Sequence, residues 1–361
     1  MKDKNIFIFA GETSADLYSA MLLVELEKRL PTHHFWGVAG PSSRYAIEAF
    51  LPMETFQVMG ISDVIKAFPR LFRAFCKLKK EILKRMPEMV IIIDQPSFGM
   101  KLAKALRKKG YKGKIVQFVA PTVWAWKPER ADDMAKYFDL LLTLFDFEPA
   151  YFAHTKLKTV FVGHPIYELL ENDHGQSLSL DPERPVLAIF PGSRPQEVKR
   201  NLKKQLEAAK IYTEKHPATQ ICVCTTENLP QNIIKVPFNA RYELMKKAHL
   251  AIAKSGTVTL ELALHAVPTV VTYELSKLNR FMARHVMKLD KMAHFSIVNI
   301  LAKKELFIEK IRPPVAPQDI AAALEQLDHA ACKQGCLELK NHVVGEVSAI
   351  KRAAKEICEI L

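Results

Sequence analysis

The stretch Met89-Val90-Ile91-Ile92-Ile93-Asp94-Gln95-Pro96 predicts the fold of the first half of this chain. Its five leading residues form an uninterrupted apolar run, which is typical of a strand buried on both faces. Such a strand belongs in a parallel sheet that is covered by helices on either side. Asp94 directly follows this run, so its carboxylate lies at the point where the strand ends.

Short apolar runs alternate with longer amphipathic stretches through the first 165 residues. After the first run, Leu17, Ala20, Met21 and Val24 recur at helical spacing. This alternation predicts a doubly wound α/β domain. Its predicted strands are residues 5–10, 34–38, 89–94, 115–119, 139–144 and 160–162.

A polar stretch from Glu171 to Ser177 interrupts this rhythm and predicts a linker. A second α/β series follows, with strands predicted at 186–190, 220–224, 250–253 and 269–273 and helices from about residue 319. The predicted domains are residues 1–168 and 169–340, followed by a C-terminal helix at 341–361. Packing of this helix on the first domain is left open. Two such domains face a central cleft at the carboxyl ends of their sheets.

Composition and charge narrow the class of protein. The 361 residues are 49% hydrophobic and 25% charged, which suits two globular domains. No run approaches the roughly 18 apolar residues of a spanning helix, and no signal-peptide core follows Met1, so we expect a cytoplasmic, non-spanning protein. The six cysteines lack the C-x-x-C spacing of a zinc site, so we expect reduced thiols and no metal. The net charge of +13 favours nucleic acid, anionic lipid or phosphorylated substrates, and does not choose among them.

Two carboxylates follow predicted strands in the first domain. Glu12 stands after the first strand, where Thr13 or Ser14 could instead be simple helix caps. Asp94 follows the third strand, where burial beside apolar neighbours would raise its pKa toward that of a working base. The alternative for Asp94 is a structural role as the cap of a helix over residues 97–107.

Two strand-to-helix junctions in the second domain predict a nucleotide diphosphate site. Gly192 permits close backbone approach, Ser193 can cap the next helix, and Arg194 offers a bidentate fork to a phosphate. The amides of Ser255–Thr257 can meet phosphates, while Glu261 can take both hydroxyls of a ribose. The alternative is that each junction is only a capped helix.

The stretch from Lys66 to Arg85 combines eight basic residues with an apolar stripe. We predict that this helix starts near Phe68, with Pro69 in its first turn. A basic, Phe-rich amphipathic helix is typical of interfacial membrane binding, and a second basic stretch at 277–291 supports that view. The alternative is a surface helix packed on the sheet. The proposed membrane or acceptor residues are Phe68, Leu71, Phe72, Phe75, Arg70 and Arg73.

Nine motifs in one order resemble the family of lipid A disaccharide synthases, which are inverting glycosyltransferases of the GT-B type. They are GETSAD at 11–16, VAGP at 38–41, VMGI at 58–61, IDQPSF at 93–98, PTVWAW at 121–126, FVGHP at 161–165, PGSRPQEV at 191–198, SGTVTLE at 255–261 and VNILAKKEL at 298–306. The resemblance implies two Rossmann-like domains. It also implies transfer of 2,3-diacylglucosamine from UDP to the 6-hydroxyl of 2,3-diacylglucosamine 1-phosphate, giving a β-1,6-linked disaccharide and UDP.

The resemblance also assigns roles to residues. Asp94 corresponds to the family's catalytic aspartate, and Glu12 corresponds to the acidic residue of its G-E-x-S-G-D motif, so both are assigned as catalytic. Ala15, Ser97 and Gly99 stand where the family has glycine, aspartate and asparagine, so this chain departs from the family on the acceptor side. The family's donor-binding positions fall on Gly192, Ser193, Arg194, Ser255, Gly256, Thr257, Glu261 and Asn299.

These assignments imply partners and leave rivals. The expected partners are UDP-diacylglucosamine, diacylglucosamine 1-phosphate and an anionic membrane surface, with no nucleic acid and no cofactor. The expected location is peripheral, on the cytoplasmic face of the inner membrane, and a homodimer stays open. The rivals are a nucleotide-sugar epimerase on the same scaffold and a non-catalytic basic peripheral membrane protein or nucleic-acid-binding protein.

Overall fold

The computed structural model describes residues 4–57, 61–124, 128–172, 175–274, 293–311, 315–345 and 347–361, and it describes only the backbone at 61–66. The predicted basic stretch at 277–291 therefore lies outside the described residues. Contacts divide the chain into two compact units: unit 1 is Met1–Pro165 with Val343–Leu361, and unit 2 is Ile166–His342. The sequence prediction had drawn these boundaries at 168 and 340.

Unit 1 is built on a parallel sheet that, in the described residues, has seven strands. They are β1 (Asn5–Ala10), β2 (His34–Ala39), β3 (Glu48–Pro52), β4 (Met89–Ile93), β5 (Lys114–Phe118), β6 (Leu140–Thr143) and β7 (Lys158–Phe161). The strand order is β3-β2-β1-β4-β5-β6-β7. All of these pairings are parallel, as the apolar runs predicted.

Unit 2 has a second parallel sheet, with six strands among the residues described. They are β8 (Val186–Phe190), β9 (Gln220–Cys224), β10 (Ile234–Val236), β11 (Leu250–Lys254), β12 (Thr269–Thr272) and β13 (Ile308–Lys310). The strand order is β10-β9-β8-β11-β12-β13, and the pairings are again parallel. Each unit is therefore a doubly wound α/β domain.

Helices cover both sheets. The described helices are α1 (Thr13–Arg29), α2 (Ile61–Arg85), α3 (Pro96–Lys108), α4 (Arg130–Tyr137), α5 (Ile166–Glu171), α6 (Pro195–Lys215), α7 (Arg241–Lys247), α8 (Thr257–Leu264), α9 (Ile297–Ala302), α10 (Pro317–Gln326), α11 (His329–Val343) and α12 (Ala349–Ile360). In unit 1, α2 and α3 pack over a core that includes Trp36, Leu78, Ile92 and Leu102, all fully buried. The C-terminal α12 packs against α1 within the same unit.

The prediction that α2 starts near Phe68 is wrong, because the helix begins at Ile61 and Pro69 lies inside it. The apolar residues Ile61, Val64 and Phe68 continue the helical spacing on the N-terminal side of the proline. A proline in a helix interior removes one backbone hydrogen bond. The helix nevertheless continues through Pro69, with the same apolar spacing on both sides of it.

The chain crosses between the units at two neighbouring points. The backbone N–H of His164 donates to the carbonyl of Val343, at 2.9 Å. Gly163 adopts a left-handed φ of 93°, and a Cβ there would lie 3.1 Å from the backbone nitrogen of Gly345. The close approach of the two segments therefore requires glycine at 163.

Candidate active site

Asp94 lies at the carboxyl edge of the first sheet, directly after β4. It and Gln95 both adopt left-handed backbone conformations, with φ values of 58° and 44°. The Asp94 carboxylate accepts a hydrogen bond from the Gln95 backbone N–H at 2.7 Å. Helix α3 has Gln95 as its N-cap without a side-chain cap bond, so the alternative role of Asp94 as its cap is wrong.

Glu12 lies beside Asp94, across the neighbouring strand β1. The Gln95 side-chain amide donates to Glu12 Oε1 at 3.3 Å, which links the two acidic segments. Burial raises the pKa of Asp94, and the charge of Glu12 raises it further, while the Gln95 N–H acts in the opposite direction. Glu12 is itself the N-cap of α1 and makes no side-chain cap bond, so neither Thr13 nor Ser14 caps this helix. Burial, with the smaller contribution of Glu12, leaves Asp94 with the raised pKa of a proton acceptor.

Gln117 supports this turn, and it was not predicted from the sequence. Its fully buried side chain donates from Nε2 to the carbonyls of Asp94 at 3.0 Å and Val119 at 3.2 Å. A Cβ at Gly99 would lie only 2.7 Å from Gln117 Oε1. Any side chain at position 99, including the family's asparagine, would therefore require Gln117 Oε1 to shift. A polar residue inside the otherwise apolar run at 115–119 was the available signal.

Asp16, the last residue of the GETSAD motif, is a second residue whose role was not predicted from the sequence. Its buried carboxylate accepts from the backbone N–H groups of Gly40 at 2.7 Å and Ser42 at 2.8 Å, and from the hydroxyl of Ser43. It thereby holds the loop that follows β2. Its position in the motif beside Glu12 was a signal of function, but its contacts are structural.

The exposed part of the predicted membrane stripe is smaller than the sequence suggested. Phe68 and Phe72 on α2 are 62% and 57% exposed, and their rings stack with centroids 6.1 Å apart. Leu71 and Phe75 are only partly exposed and pack against the unit 1 core. The prediction of four membrane-facing apolar residues is therefore wrong for these two, whose pattern serves packing.

Arg70 of α2 is linked to the carboxyl edge of the first sheet by a chain of contacts. The Arg70 guanidinium donates to the Gln57 carbonyl at 3.3 Å, and the Gln57 amide donates to the Thr13 hydroxyl at 3.4 Å. Thr13 follows Glu12 directly, so this chain of contacts connects α2 to the Asp94 region. Arg73 is exposed on the same helix.

Two glycine-containing loops form the corresponding edge of the second sheet. After β8, Gly192 has a φ of 131°, which favours glycine, and Ser193 and Arg194 are exposed. The N-cap of α6 is Arg194, so the prediction that Ser193 caps this helix is wrong. After β11, Gly256 is the N-cap of α8, and it and Thr257 are exposed while Ser255 is half-buried. Both loops present backbone N–H groups at a helix start.

Two charged residues near these loops were not singled out from the sequence. Lys254, at the end of β11, places its ammonium 3.1 Å from the Glu197 carboxylate of α6. Arg194 lies at the longer distance of 4.0 Å from the same carboxylate oxygen. The signal for Lys254 was a charge ending an apolar strand.

Glu261 lies inside α8 and is buried. Its carboxylate accepts from the Tyr242 hydroxyl at 2.8 Å and lies 3.6 Å from the Arg241 guanidinium. Burial raises the pKa of Glu261, while the charge of Arg241 and the two hydrogen bonds oppose that rise. The guanidinium of Arg241 stacks on the ring of Tyr242 at 3.9 Å. The contact of Glu261 with a ribose stays a prediction.

Asn299, which the sequence assigned to donor binding, is fully buried, and its contact with the donor stays a prediction. Its Oδ1 accepts from the backbone N–H groups of Leu306 and Phe307, both at 2.8 Å. Its Nδ2 donates to the Phe307 carbonyl at 2.7 Å and to the Glu309 carboxylate at 2.9 Å. These four bonds use the whole hydrogen-bonding capacity of a carboxamide. Asn299 therefore anchors the segment that leads into β13.

Comparison with known proteins decides among the families that could carry this geometry. The model of the family described as lipid-A-disaccharide synthetase matches residues 6–356. The chain belongs to this family. It is 36% identical over 353 residues to the lipid-A-disaccharide synthase of Chlamydia pneumoniae, which covers 92% of the chain and 58% of that relative. It is 34% identical over 378 residues to that of Anaeromyxobacter dehalogenans, covering 99% and 97%.

The lipid-A-disaccharide synthetase family includes longer proteins. The chain spans about three-fifths of the length of chlamydial relatives, 58% for Chlamydia pneumoniae and 62% for Chlamydia trachomatis. Among solved structures, a calicheamicin glycosyltransferase superposes with a TM-score of 0.60 at 15% identity, covering 99% of this chain and 98% of that one. A UDP-GlcNAc 2-epimerase from Neisseria meningitidis gives 0.59 at 13%, covering 99% of each. These likenesses show the GT-B fold, which both kinds of enzyme share.

Proposed function

We propose that the chain transfers 2,3-diacylglucosamine from its UDP donor to the 6-hydroxyl of 2,3-diacylglucosamine 1-phosphate, giving the β-1,6-linked disaccharide 1-phosphate and UDP. Membership of the lipid-A-disaccharide synthetase family supports this reaction. The observation that carries it is the half-buried Asp94 carboxylate at the carboxyl edge of β4, with a raised pKa. An inverting sugar transfer needs one such base on the acceptor side.

In the proposed reaction Asp94 accepts the proton of the acceptor 6-hydroxyl as that oxygen bonds to the anomeric carbon. The bond between the anomeric carbon and the diphosphate breaks, and UDP leaves with the electron pair. Attack on the face opposite the leaving group inverts the configuration. The N–H groups of Ser255–Thr257 and the Arg194 guanidinium provide the positive potential that stabilises the departing diphosphate.

The epimerase alternative uses the same scaffold but a different substrate set. An epimerase would act on one sugar nucleotide alone, whereas the proposed transfer joins two sugars. The family match favours the transfer. The likeness to the Neisseria meningitidis epimerase, at 13% identity, supports the fold alone.

The proposed substrates carry acyl chains, so the enzyme must meet them at a membrane surface. Drawing an acyl chain into water costs about 0.8 kcal/mol per methylene group. Phe68 and Phe72 supply exposed apolar surface on α2, and Arg70 and Arg73 supply charge for anionic headgroups. None of the described helices is long and apolar enough to cross a membrane. We therefore propose peripheral binding at the cytoplasmic face of the inner membrane, through α2.

The test incubates purified protein with UDP-2,3-diacylglucosamine and 2,3-diacylglucosamine 1-phosphate in mixed micelles. We expect disaccharide 1-phosphate and UDP in equal amounts, with a β linkage in the product. Release of UDP without disaccharide, or formation of an epimerised sugar nucleotide when the acceptor is omitted, would overturn the proposal.

A further inference from the structure

An ion pair lies between the two glycine-containing loops of unit 2. The Glu197 side chain lies against Gly192, because a Cβ on that glycine would be 2.7 Å from Glu197 Cβ and 2.9 Å from Glu197 Oε2. The Lys254 ammonium lies beside the other loop, 3.6 Å from the position of a Cβ on Gly256. The 3.1 Å contact between Glu197 and Lys254 therefore joins the two loops.

The pair has the charges that an anionic ligand would compete for. Glu197 stands in the first turn of α6, where the helix N-terminus favours a negative group. The Lys254 ammonium is held 5.0 Å above the ring of Tyr273, and Arg194 approaches the same carboxylate from solvent. The side chains of Lys254 and Glu197 are 16% and 18% exposed, so both remain accessible. A carboxylate thus holds the position where two cations and a helix N-terminus converge.

We propose that Lys254 is a second cation for the donor diphosphate and that Glu197 is a placeholder that the diphosphate displaces. This inference rests on the proposed function, since it concerns the same UDP site. When the donor binds, its phosphate oxygens replace the Glu197 carboxylate as the partner of Lys254 and Arg194. Glu197 then turns away from Gly192. When UDP leaves, the carboxylate returns to Lys254 and competes with rebinding of the product.

The alternative is a permanent structural ion pair, and it predicts the opposite effect for one substitution. Glu197→Gln keeps the shape of the side chain but removes the charge that competes with phosphate. If Glu197 is a placeholder, Glu197→Gln binds UDP more tightly than the unsubstituted protein. If Glu197 instead holds Lys254 in place for the ligand, Glu197→Gln binds UDP more weakly.

The experiment is calorimetric titration of the full chain with UDP and with uridine, which lacks the phosphates. We expect Lys254→Met to weaken UDP binding at least 10-fold and to leave uridine binding unchanged, because a charge-assisted contact to phosphate is lost. Lys210→Met, on the exposed part of α6, removes the same charge at a distance and should bind both ligands normally. Thermal melts of each variant check that the fold is retained.

The outcomes separate this inference from the function on which it rests. Failure of the unsubstituted protein to bind UDP would overturn the proposed function and this inference together. Normal UDP binding by the unsubstituted protein and by folded Lys254→Met would overturn the inference alone, as would weaker UDP binding by folded Glu197→Gln. If Lys254→Met does not fold, the sign of the Glu197→Gln effect decides.

Discussion

Asp94 is the residue on which the proposed chemistry depends, and its geometry allows a clean substitution. Asn at this position retains an acceptor oxygen for the Gln95 N–H, so Asp94→Asn should fold normally. It cannot accept the substrate proton, and we expect turnover to fall at least ~10²-fold. Initial rates with both substrates, alongside thermal melts, measure this. Asp133→Asn, on the exposed surface of α4, is the matched control.

Near-normal turnover by folded Asp94→Asn would contradict the assignment of Asp94 as the base. Equal losses in the two variants would point to an effect of charge rather than of position.

Substitution of the neighbouring Glu12 should shift the pH dependence of activity. A base works only when deprotonated, so activity should fall as pH drops through the raised pKa of Asp94. Glu12 contributes to that rise through its negative charge. Glu12→Gln removes the contribution, and we expect the acid limb of the kcat/KM profile to move to lower pH. An acid limb that stays in place would show that Glu12 does not control Asp94.

Glu148 should make the stability of the protein, rather than its activity, depend on pH. Its buried carboxylate accepts from the N–H groups of Leu144 and Phe145 at 3.0 and 3.1 Å, yet burial raises its pKa from 4.5 to about 7. Between these two values the folded protein holds a proton that the unfolded chain has lost. Stability should therefore fall as pH rises from about 4.5 to about 7, by on the order of 3 kcal/mol at most.

Glu148→Gln should remove this part of the pH dependence, because the amide does not titrate. Urea unfolding of both proteins at several pH values gives the free energies of unfolding. Parallel pH profiles for the two proteins would contradict the prediction.

At the scale of elements, the sequence predicted strands in proportion to their burial. β4 and β8 are buried along their whole length and were placed to within a residue from their apolar runs. The strands that were missed, β3, β10 and β13, are three of the four sheet-edge strands in the described residues, and the fourth, β7, was predicted at 160–162. An edge strand has few fully buried positions, as the partly exposed residues of Glu48–Pro52 illustrate, so its apolar pattern is weaker than that of a central strand.

The sequence likewise predicted some parts of the candidate site and not others. Strand ends and glycines located Asp94 and the two loops of unit 2, because their positions follow from chain order in a parallel sheet. Contacts between distant segments were not predictable in the same way. Asn299 shows this, since only the fold reveals that the segment at 306–309 saturates its side chain.

At the scale of elements, we also predict that membrane binding depends on α2. Replacing the exposed Phe68 and Phe72 together with Ser should reduce cosedimentation with anionic liposomes and leave thermal stability nearly unchanged, because neither ring is buried. Phe75→Ala is the control from the same helix. Its ring packs edge-on against Phe98 at 5.8 Å, so this variant should lose stability, and its folded fraction should still bind.

Salt separates the two contributions of α2. Raising ionic strength should weaken binding of the unsubstituted protein, because it screens Arg70 and Arg73 from the headgroups. Normal liposome binding by folded Phe68→Ser/Phe72→Ser would place the membrane contact elsewhere in the chain.

At the scale of the whole molecule, each unit has its own core and should respond separately to perturbation. Ile357 of α12 is fully buried in unit 1, and Leu324 of α10 is 1% exposed in unit 2. We expect either residue changed to Ala to cost about 2–5 kcal/mol, in its own unit. Excess UDP, at about 100 times its Kd, should stabilise unit 2 by about 2.7 kcal/mol and leave unit 1 unchanged.

Differential scanning calorimetry resolves these effects as two transitions. Ile357→Ala should lower one of them and Leu324→Ala the other, and UDP should raise only the transition that Leu324→Ala lowers. A single transition that shifts with both substitutions and with UDP would contradict separate unfolding.

The paired crossing at Gly163 and Gly345 gives the chain the plan of a domain insertion. Unit 2 interrupts unit 1, and the two junctions lie side by side, joined by the 2.9 Å bond from His164 to Val343. An insertion of this kind can be exchanged as a cassette, because one short bridge across the junctions restores the continuity of the host. Residues 166–342 are therefore the natural segment for building chimaeras in which unit 2 of one relative is grafted into unit 1 of another.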